Sequence, residues 1–276
     1  MMGIVYSSVM DAPLRTVFDW HARPGALVRL SPPWQPVKVV QEASSLRDGT
    51  AILGLPGGLR WRARHQAGDY RPPEMFVDRL EGPLSLVLPW RHQHEFTEEG
   101  AGTRLTDQVD TLVPSFVLRP MFDYRHRQLA ADLSVHKEFS SSALTVAVAG
   151  PDNAIRTAFT ALLTTGGHRV IRYPTDEAVD ATVYLSDNVT LVETAEGRTV
   201  RVRNGSLRAG PTWIALDDLC DIYLRALVDD QLDGMVNAVA PGNGVIQPER
   251  LLARDHRFRY RDHKQYVAHI LPLRAP

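Results

Sequence analysis

Two histidines, His92 and His94, lie one residue apart in a segment whose side chains alternate between apolar and polar. Residues 84–96 are therefore a predicted β-strand, in which both imidazoles and Trp90 share one face. Imidazoles at positions i and i+2 of a strand can chelate a divalent ion, anchor a polar ligand group or exchange protons with a substrate. No third ligand has a diagnostic spacing, so the sequence predicts no metal site.

A second segment, residues 59–65, repeats this pattern. Trp61 and His65 fall on one face, and arginines occupy every even position. The predicted strand turns tryptophan and histidine inward and the arginine row toward solvent. Desolvation penalises the charged form of an inward imidazole. The pKa values of His65, His92 and His94 are therefore expected below the ~6.5 of free histidine unless a carboxylate is near. Asp107 is the candidate carboxylate.

The elements that must position these residues are strands joined by short turns. After a β-rich opening at residues 3–10, the segments with period two are residues 38–43, 50–55, 59–70, 74–80, 84–96 and 103–111. Glycine, proline or acidic turns separate them, and connections this short predict an antiparallel meander. Predicted helices occupy residues 14–21, 24–30 and 118–139.

These elements predict an α+β fold for residues 1–140, in which a curved, seven-stranded antiparallel sheet wraps around the long C-terminal helix. The space between sheet and helix is a natural apolar cavity. The candidate lining residues are Phe18, Leu30, Trp34, Trp61, His65, Phe76, Trp90, His92, His94 and Phe122. Alternatively, the same aromatic side chains fill a closed core.

Composition excludes several classes of protein. The chain has 276 residues, of which 44% are hydrophobic and 23% charged, so it is not disordered as a whole. Its net charge of −1 provides no basic field for nucleic acid or anionic lipid. Cys220 is the single cysteine, and no apolar run reaches the ~18 residues of a membrane span. We expect a soluble, cytoplasmic protein without a membrane span or a nucleic-acid partner.

A group of motifs extends from the fifth predicted strand to the long helix. They are Pro72-Pro73-x-x-Phe76-Val77-Asp78, Trp90-Arg-His92-Gln-His94-Glu-Phe96, Gly102-Thr103-Arg104-x-Thr106-Asp107 and Met121-Phe122-x-Tyr124-Arg125-His126-Arg127. This set resembles the cyclase-like branch of the START-related (SRPBCC) helix-grip superfamily, over about residues 3–140. The resemblance implies a hydrophobic ligand cavity, and relatives include polyketide cyclases, hydrolases and lipid carriers. It supplies no catalytic residues, because the superfamily shares no single catalytic constellation.

Residues 144–276 are predicted to form a second domain. Residues 144–149 are a buried-strand run, residues 151–165 a helix and residues 168–173 another strand. This succession is the βαβ opening of a parallel sheet. A further strand is predicted at residues 181–186 and a further helix at residues 217–228.

A second group of motifs follows in order through this domain. They are Thr145-Val-Ala-Val-Ala-Gly150, Asp180-Ala-Thr-Val-Tyr-Leu185, Gly210-Pro-Thr-Trp213-Ile214 with Asp217-Asp218-Leu219, Asn237-Ala238-Val-Ala240-Pro241, and Pro248-x-Arg250-Leu251-Leu252 with Phe258-Arg259-Tyr260. Together they resemble the extended short-chain dehydrogenase (SDR) fold of NAD-dependent, sugar-nucleotide epimerase-like proteins. Some of those proteins carry a START-like domain at the N-terminus. The resemblance implies a Rossmann-like domain and a dinucleotide cofactor.

The chemistry that this second resemblance implies is incomplete. The family's phosphate loop reads G-x-x-G-x-x-G, because the backbone must approach the pyrophosphate closely. Gly150 alone remains, as a vestigial cofactor-binding residue, and Asn153 and Arg156 occupy the other two positions. The family's Tyr-x-x-x-Lys base is matched only by Tyr260 and Lys264, far from the expected place.

Length gives the same indication. Residues 145–276 are too few for a complete doubly wound sheet, because each βαβ unit takes roughly 30 residues. The sequence therefore predicts a shortened, degenerate Rossmann-like domain that binds no cofactor, with NAD or NADP binding as the alternative.

The leading functional hypothesis is non-catalytic binding of a small apolar or amphipathic molecule in the first domain. The second domain would be a pseudoenzyme module that serves as a scaffold or as a surface for a protein partner or a second copy of the chain. One alternative is an NAD(P)-dependent epimerase or oxidoreductase. Another is a cyclase-like enzyme in which His92 or His94 acts as general acid or base. No catalytic residue is assigned.

Overall fold

A computed structural model describes residues 3–140, 142–243 and 257–270. The chain divides into two compact units, Met1–Ser134 and Val135–Pro276. This division falls within the long helix, whereas the predicted boundary lies after that helix, between residues 140 and 144. Each unit has its own sheet and its own hydrophobic clusters.

Seven antiparallel strands form the sheet of the first unit, which confirms that part of the predicted fold. They are β1 (Gly3–Met10), β2 (Lys38–Gln41), β3 (Thr50–Gly54), β4 (Arg60–His65), β5 (Met75–Glu81), β6 (Trp90–Glu99) and β7 (Gly102–Thr111). The order across the sheet is β1-β7-β6-β5-β4-β3-β2. Strands β2 to β7 are therefore a meander, and β1 pairs with the last strand. Gly100, with φ of 61°, provides the left-handed backbone in the tight turn between β6 and β7.

Two strands of the first unit, β4 and β6, begin or end well inside their predicted bounds. Strand β6 begins at Trp90 and not at residue 84, because Gly82 has φ of 88° and Pro83–Leu86 forms a 3₁₀ turn. Leu86 is consequently 86% exposed, so the inward face predicted for residues 84–88 does not exist. Strand β4 stops before residue 70, since another 3₁₀ turn follows it.

Three helices accompany this sheet: α1 (Leu14–Ala22), α2 (Ala26–Arg29) and α3 (Ser115–Glu138). Phe18 of α1 and Leu129 of α3 belong to one hydrophobic cluster with the strand residue Phe96. Arg29 donates two hydrogen bonds, of 2.8 and 2.7 Å, to the carboxylate of Asp132, and both side chains are buried. This ion pair fixes α2 to α3, because loss of either partner would leave an uncompensated buried charge.

The second unit contains a six-stranded sheet. Its strands are β8 (Thr145–Ala149), β9 (Arg169–Arg172), β10 (Ala181–Tyr184), β11 (Val189–Thr194), β12 (Thr199–Asn204) and β13 (Gly234–Ala238), in the order β13-β12-β11-β10-β8-β9. The predicted βαβ opening is present, because β8 is parallel to β9 and β10. The sheet is mixed, however, since β11 is antiparallel to β10 and β12. The turns at residues 185–188 and 195–198 are too short for the crossovers that parallel strands need.

The helices of this unit are α4 (Ala154–Gly166), α5 (Leu216–Val228) and α6 (His263–Ile270). Phe159 of α4 meets Tyr223 of α5 edge to face, with ring centroids 5.4 Å apart. Within the described residues, no helix has both the length and the apolar composition that crossing a membrane requires.

Two aspartates of α5 hold the C-terminal tail. Arg259 donates two hydrogen bonds, of 2.6 and 2.8 Å, to the carboxylate of Asp221. The backbone N–H groups of Arg259 and Tyr260 donate to the carboxylate of Asp218. The Asp-Asp-Leu and Phe-Arg-Tyr motifs are thus joined by hydrogen bonds. The motif at residues 248–252 lies outside the described residues.

Candidate functional site

The first unit contains a cavity of about 500 Å³, a volume typical of small-molecule sites. Its wall combines apolar side chains with a polar patch on the sheet. The predicted residues that line it are Leu30, Trp61, His65, Phe76, Trp90, His92 and His94. The indole rings of Trp61 and Trp90 meet edge to face, with centroids 5.1 Å apart. The cavity therefore collects inward side chains from β4, β5 and β6.

Three predicted residues lie elsewhere in this unit. Phe18 is buried in the hydrophobic core, where its ring packs against Phe96 at 5.4 Å. Trp34 packs edge to face on Tyr124, with ring centroids 5.1 Å apart. Phe122 is fully buried in a second hydrophobic cluster. None of these three side chains lines the cavity, which helical and loop spacing alone does not resolve.

The polar patch belongs to a group that we name the His/Asp cluster: Asp78, His92, His94, Asp107 and His126. In the register of the sheet, Asp78 is opposite His92, and Asp107 is opposite His94. All five side chains are buried. Asp78, His92 and His94 line the cavity, whereas Asp107 and His126 are buried without lining it.

Each strand histidine of the cluster lies between two carboxylates. His92 Nδ1 is 3.4 Å from Asp78 Oδ2, and His92 Nε2 is 3.1 Å from Asp107 Oδ1. His94 Nε2 is 3.8 Å from Asp78 Oδ2. His94 Nδ1 is 2.7 Å from Asp107 Oδ1, but the two groups are not aligned for a hydrogen bond. Both imidazoles therefore turn one nitrogen toward Asp78 and the other toward Asp107.

Asp107 has a third imidazole partner. His126 Nε2 is 2.8 Å from Asp107 Oδ2, and its Nδ1 is 2.6 Å from the hydroxyl oxygen of Ser8. His126 is not among the predicted site residues. Its spacing from Phe122 and Leu129 nevertheless places it on the apolar face of α3, and that periodicity is the signal that could have found it.

Asp78 and His21 are among the cavity residues that were not predicted. Asp78 follows Phe76 by two positions on β5, so strand alternation alone turns its carboxylate inward. His21 shares the buried face of α1 with Val17 and Phe18, and its Nδ1 is 2.8 Å from the carbonyl oxygen of Val17. Both residues were detectable from the same periodicities that located their apolar neighbours.

The charges in the cluster stabilise one another. Burial opposes ionisation of Asp78, but hydrogen bonds and charges from His92 and His94 outweigh it and lower the pKa of that carboxyl. Burial also opposes ionisation of Asp107. The charges of His94 and His92 and a hydrogen bond from His126 outweigh it and lower the pKa of that carboxyl well below its usual value. Burial alone would lower the pKa of His92, yet Asp107 and Asp78 raise it above the ordinary 6.5. The prediction was a lowered histidine pKa unless a carboxylate is near. His92 meets that condition, and its pKa is raised.

Histidines farther from the carboxylates behave as buried imidazoles should. Burial lowers the pKa of His65, partly opposed by its hydrogen bond with the carbonyl of Ser45. Burial and the charge of His94 lower the pKa of His21 to about 3. The cavity wall thus contains histidines whose pKa values are shifted in opposite directions. The pKa of His92 is raised by adjacent carboxylates, whereas burial lowers those of His65 and His21.

The end of β8 is the place where a dinucleotide-binding fold would hold pyrophosphate. Gly150 there has φ of 114°, and a Cβ on it would lie 2.4 Å from the carbonyl oxygen of Leu185. Asn153 has an extended backbone, and its side chain caps α4 by accepting a hydrogen bond from the N–H of Arg156. The guanidinium of Arg156 donates to the carbonyl oxygens of Gly150 and Val148, at 2.6 and 2.5 Å.

These contacts do not fit a dinucleotide cofactor. A side chain covers the strand end that the backbone of a phosphate loop leaves open, and the helix N-terminus already has a side-chain acceptor. Asp152 adds a negative charge beside the loop, where it pairs with Arg172 at 3.3 Å.

No protein-family model and no curated protein matches this chain. Among solved structures, a nucleoside-diphosphate sugar epimerase from Corynebacterium glutamicum is similar to it, with 26% identity and a TM-score of 0.83. That match covers 97% of this chain and 90% of the epimerase chain. The overall fold is therefore epimerase-like.

Partial matches cover about half of this chain. An AHSA1 protein from Silicibacter pomeroyi has 14% identity and a TM-score of 0.36, over 48% of this chain and 98% of that one. Protein Ms6760 from Mycobacterium smegmatis has 21% identity and a TM-score of 0.35, over 48% of this chain and 91% of that one.

Proposed function

We propose that the first unit binds a small amphipathic molecule in its cavity. The observation that carries this proposal is the cavity itself, because about 500 Å³ of space bordered by Trp61, Trp90 and Phe76 is large for a packed interior. The apolar body of the ligand would lie against these rings. Its polar group would face Asp78, His92 and His94, since otherwise that patch would oppose apolar surface.

The second unit is proposed to be a scaffold or an interaction module for a protein partner or a second copy of the chain. The hydrogen bonds of Arg156 to the end of β8 support this role over cofactor binding. Epimerase or oxidoreductase activity is the alternative that the similar C. glutamicum structure favours. We favour the non-catalytic role because the strand end is covered by this chain's own side chain.

Acid–base catalysis in the same cavity is the second candidate function. His92 lines the cavity and is backed by Asp107 at 3.1 Å, the arrangement in which a carboxylate orients an imidazole for proton transfer. A bound molecule with an exchangeable proton beside His92 would distinguish this function from simple binding. The pH dependence of its turnover would then follow the ionisation of His92.

The binding proposal is tested with the full chain and an apolar fluorescent probe, 1-anilinonaphthalene-8-sulfonate. Saturable binding with enhanced fluorescence is expected. Trp61→Ala and Trp90→Ala should each weaken probe binding, because both rings line the cavity. Trp34→Ala is the matched control, since that indole packs on Tyr124 outside the cavity.

Native mass spectrometry of freshly purified chain complements the titration by detecting a co-purified molecule. Absence of saturable probe binding, or equal effects of all three tryptophan variants, would contradict the proposal. The aromatic side chains would then fill a closed core.

A further inference from the structure

Asp78, His92 and His94 present three potential metal ligands at one point of the cavity wall. Their ligand atoms all lie within 4.8 Å of one another. His92 Nδ1 and His94 Nε2 are 3.4 and 3.8 Å from the same carboxylate oxygen of Asp78. Ligands about 2.0–2.1 Å from a tetrahedral Zn²⁺ are about 3.3 Å apart. Shifts of a few tenths of an ångström would therefore bring the two Asp78–histidine contacts to that spacing, and the two imidazole nitrogens already lie within 4.8 Å of each other.

The register of the sheet supplies the third ligand that the sequence spacing lacked. Asp78 of β5 is directly opposite His92 of β6, and His94 lies two residues along on the same face. Strands are more rigid supports than loops, and all three side chains are buried.

The opposite nitrogens of both imidazoles face Asp107. His92 Nε2 is 3.1 Å and His94 Nδ1 2.7 Å from Asp107 Oδ1. The other oxygen of Asp107 is 2.8 Å from His126 Nε2. Metal-bound histidines almost always direct their second nitrogen to a carboxylate, a carbonyl or water, which fixes the tautomer and the ring orientation. Asp107 is placed for this supporting role, because it is buried behind the cavity wall, is hydrogen-bonded to His92 Nε2 and lies beside His94 Nδ1, although the latter contact is not aligned as a hydrogen bond.

Charge balance points the same way. In the described part of the chain, Asp78 and Asp107 form ion pairs with histidines alone. Two buried carboxylates without a guanidinium or ammonium partner need positive charge nearby, and without a metal only the imidazoles can supply it by being protonated. A divalent cation would provide it while leaving the imidazoles free to coordinate through neutral nitrogens.

We propose that Asp78, His92 and His94 bind one divalent transition-metal ion, with an open coordination position that faces the cavity. Two imidazoles and one carboxylate form the ligand set of catalytic Zn²⁺ sites and of non-haem Fe²⁺ sites. The open position would accept water or the polar group of a cavity ligand. This site does not depend on the proposed ligand binding, since its ligands come from the protein alone.

The test uses the full chain after EDTA treatment and dialysis. Calorimetric titration with Zn²⁺ should show one ion per chain. Co²⁺ should develop visible ligand-field absorption of a nitrogen- and oxygen-ligated site, and Zn²⁺ should shift the imidazole NMR resonances of His92 and His94. These readouts on the unmodified chain require no variant to fold.

Variants then assign the site. Asp78→Asn and His94→Gln should abolish stoichiometric Zn²⁺ binding, and circular dichroism should show an unchanged fold. Asp107→Asn should retain the stoichiometry with affinity about 10–100-fold weaker, as expected for a residue behind the ligands. His65→Gln is the matched control, because this cavity histidine has its Nδ1 on the carbonyl of Ser45 and should leave Zn²⁺ affinity unchanged.

The proposal is overturned if the unmodified chain shows no saturable Zn²⁺ or Co²⁺ binding. It is also overturned if folded Asp78→Asn and His94→Gln variants bind Zn²⁺ as the unmodified chain does, since the ion would then lie elsewhere. Apolar-probe binding that persists without metal binding would refute this site and leave the proposed function standing.

Discussion

The cavity wall of the first unit and the end of β8 in the second unit differ in how their polar side chains are paired. Both present polar groups at a place that the sequence indicates as a possible ligand site. At the cavity, Asp78 forms ion pairs with His92 and His94, and the space beside these side chains stays open. At the end of β8, Arg156 bonds to the carbonyl oxygens of its own loop and covers the space. Polar residues therefore mark a ligand site only where their partners leave room for one.

Truncation of Asp107 should produce the largest effect, because it would remove the carboxylate that three buried imidazoles share. We expect Asp107→Ala to reduce the free energy of unfolding of the first unit by about 3–5 kcal/mol. Urea unfolding followed by tryptophan fluorescence measures this, since Trp20, Trp34, Trp61 and Trp90 all lie in that unit. Glu98→Ala, on the exposed end of β6, should change it by less than about 0.5 kcal/mol. Equal losses would mean that the cluster is not a stabilising network.

Acidification should have the next largest effect on the stability of the first unit. The pKa of His21 is about 3 in the folded chain and 6.5 ordinarily, so below pH 6.5 the unfolded chain binds the extra proton. Stability of the metal-free first unit should fall by up to about 1.4 kcal/mol per pH unit from this residue alone. His94, Asp107 and Arg125 are the charged groups that act on it.

Substitution of His21 tests this slope. The variant His21→Asn should flatten the decline of stability between pH 6.5 and the pKa of about 3, as measured by urea unfolding at several pH values. His92 has the opposite sign: its raised pKa contributes stability that is complete below 6.5 and lost as the pH rises through the folded value. NMR titration should accordingly place His92 above 6.5 and His65 below it. Values above 6.5 for both would contradict the assigned environments.

Removal of the Arg156 side chain tests the covered strand end. Arg156→Ala should cost about 1.5–3 kcal/mol of stability in the second unit, because its hydrogen bonds come from a charged donor. Calorimetry with NADH and NADPH should detect no micromolar binding to the unmodified chain. Arg156→Gly combined with Asn153→Gly could recover some affinity, without turnover. Micromolar binding by the unmodified chain would refute the contrast between the two regions.

The smallest effect is expected at the exposed pair beside that strand end. The side chains of Asp152 and Arg172 are 69% and 70% exposed. Arg172→Ala should change the free energy of unfolding by less than about 1 kcal/mol, and high salt should reduce even that difference. A larger loss in thermal unfolding would show that this pair is part of a buried network.

Local periodicity accounts for what the sequence alone predicted. Alternation in residues 60–65 put Arg60, Arg62 and Arg64 on the exposed face, and the structure confirms it. The same rule turned His92 and His94 inward, and short turns predicted the seven antiparallel strands. The error at residues 84–88 arose because a glycine with positive φ and a proline interrupted an apolar alternation.

Only the tertiary structure decided which inward residues meet. Asp78, His92 and Asp107 lie on three strands, and the register of β5, β6 and β7 brings their side chains into one cluster. Nothing local distinguishes Trp61, which lines the cavity, from Trp34, which packs on Tyr124. Likewise, the loop sequence showed that Arg156 replaces a glycine, but only its folded position showed the guanidinium on the strand end. Faces follow from the period of one element, whereas sites follow from contacts between elements, which strand register and side-chain packing fix.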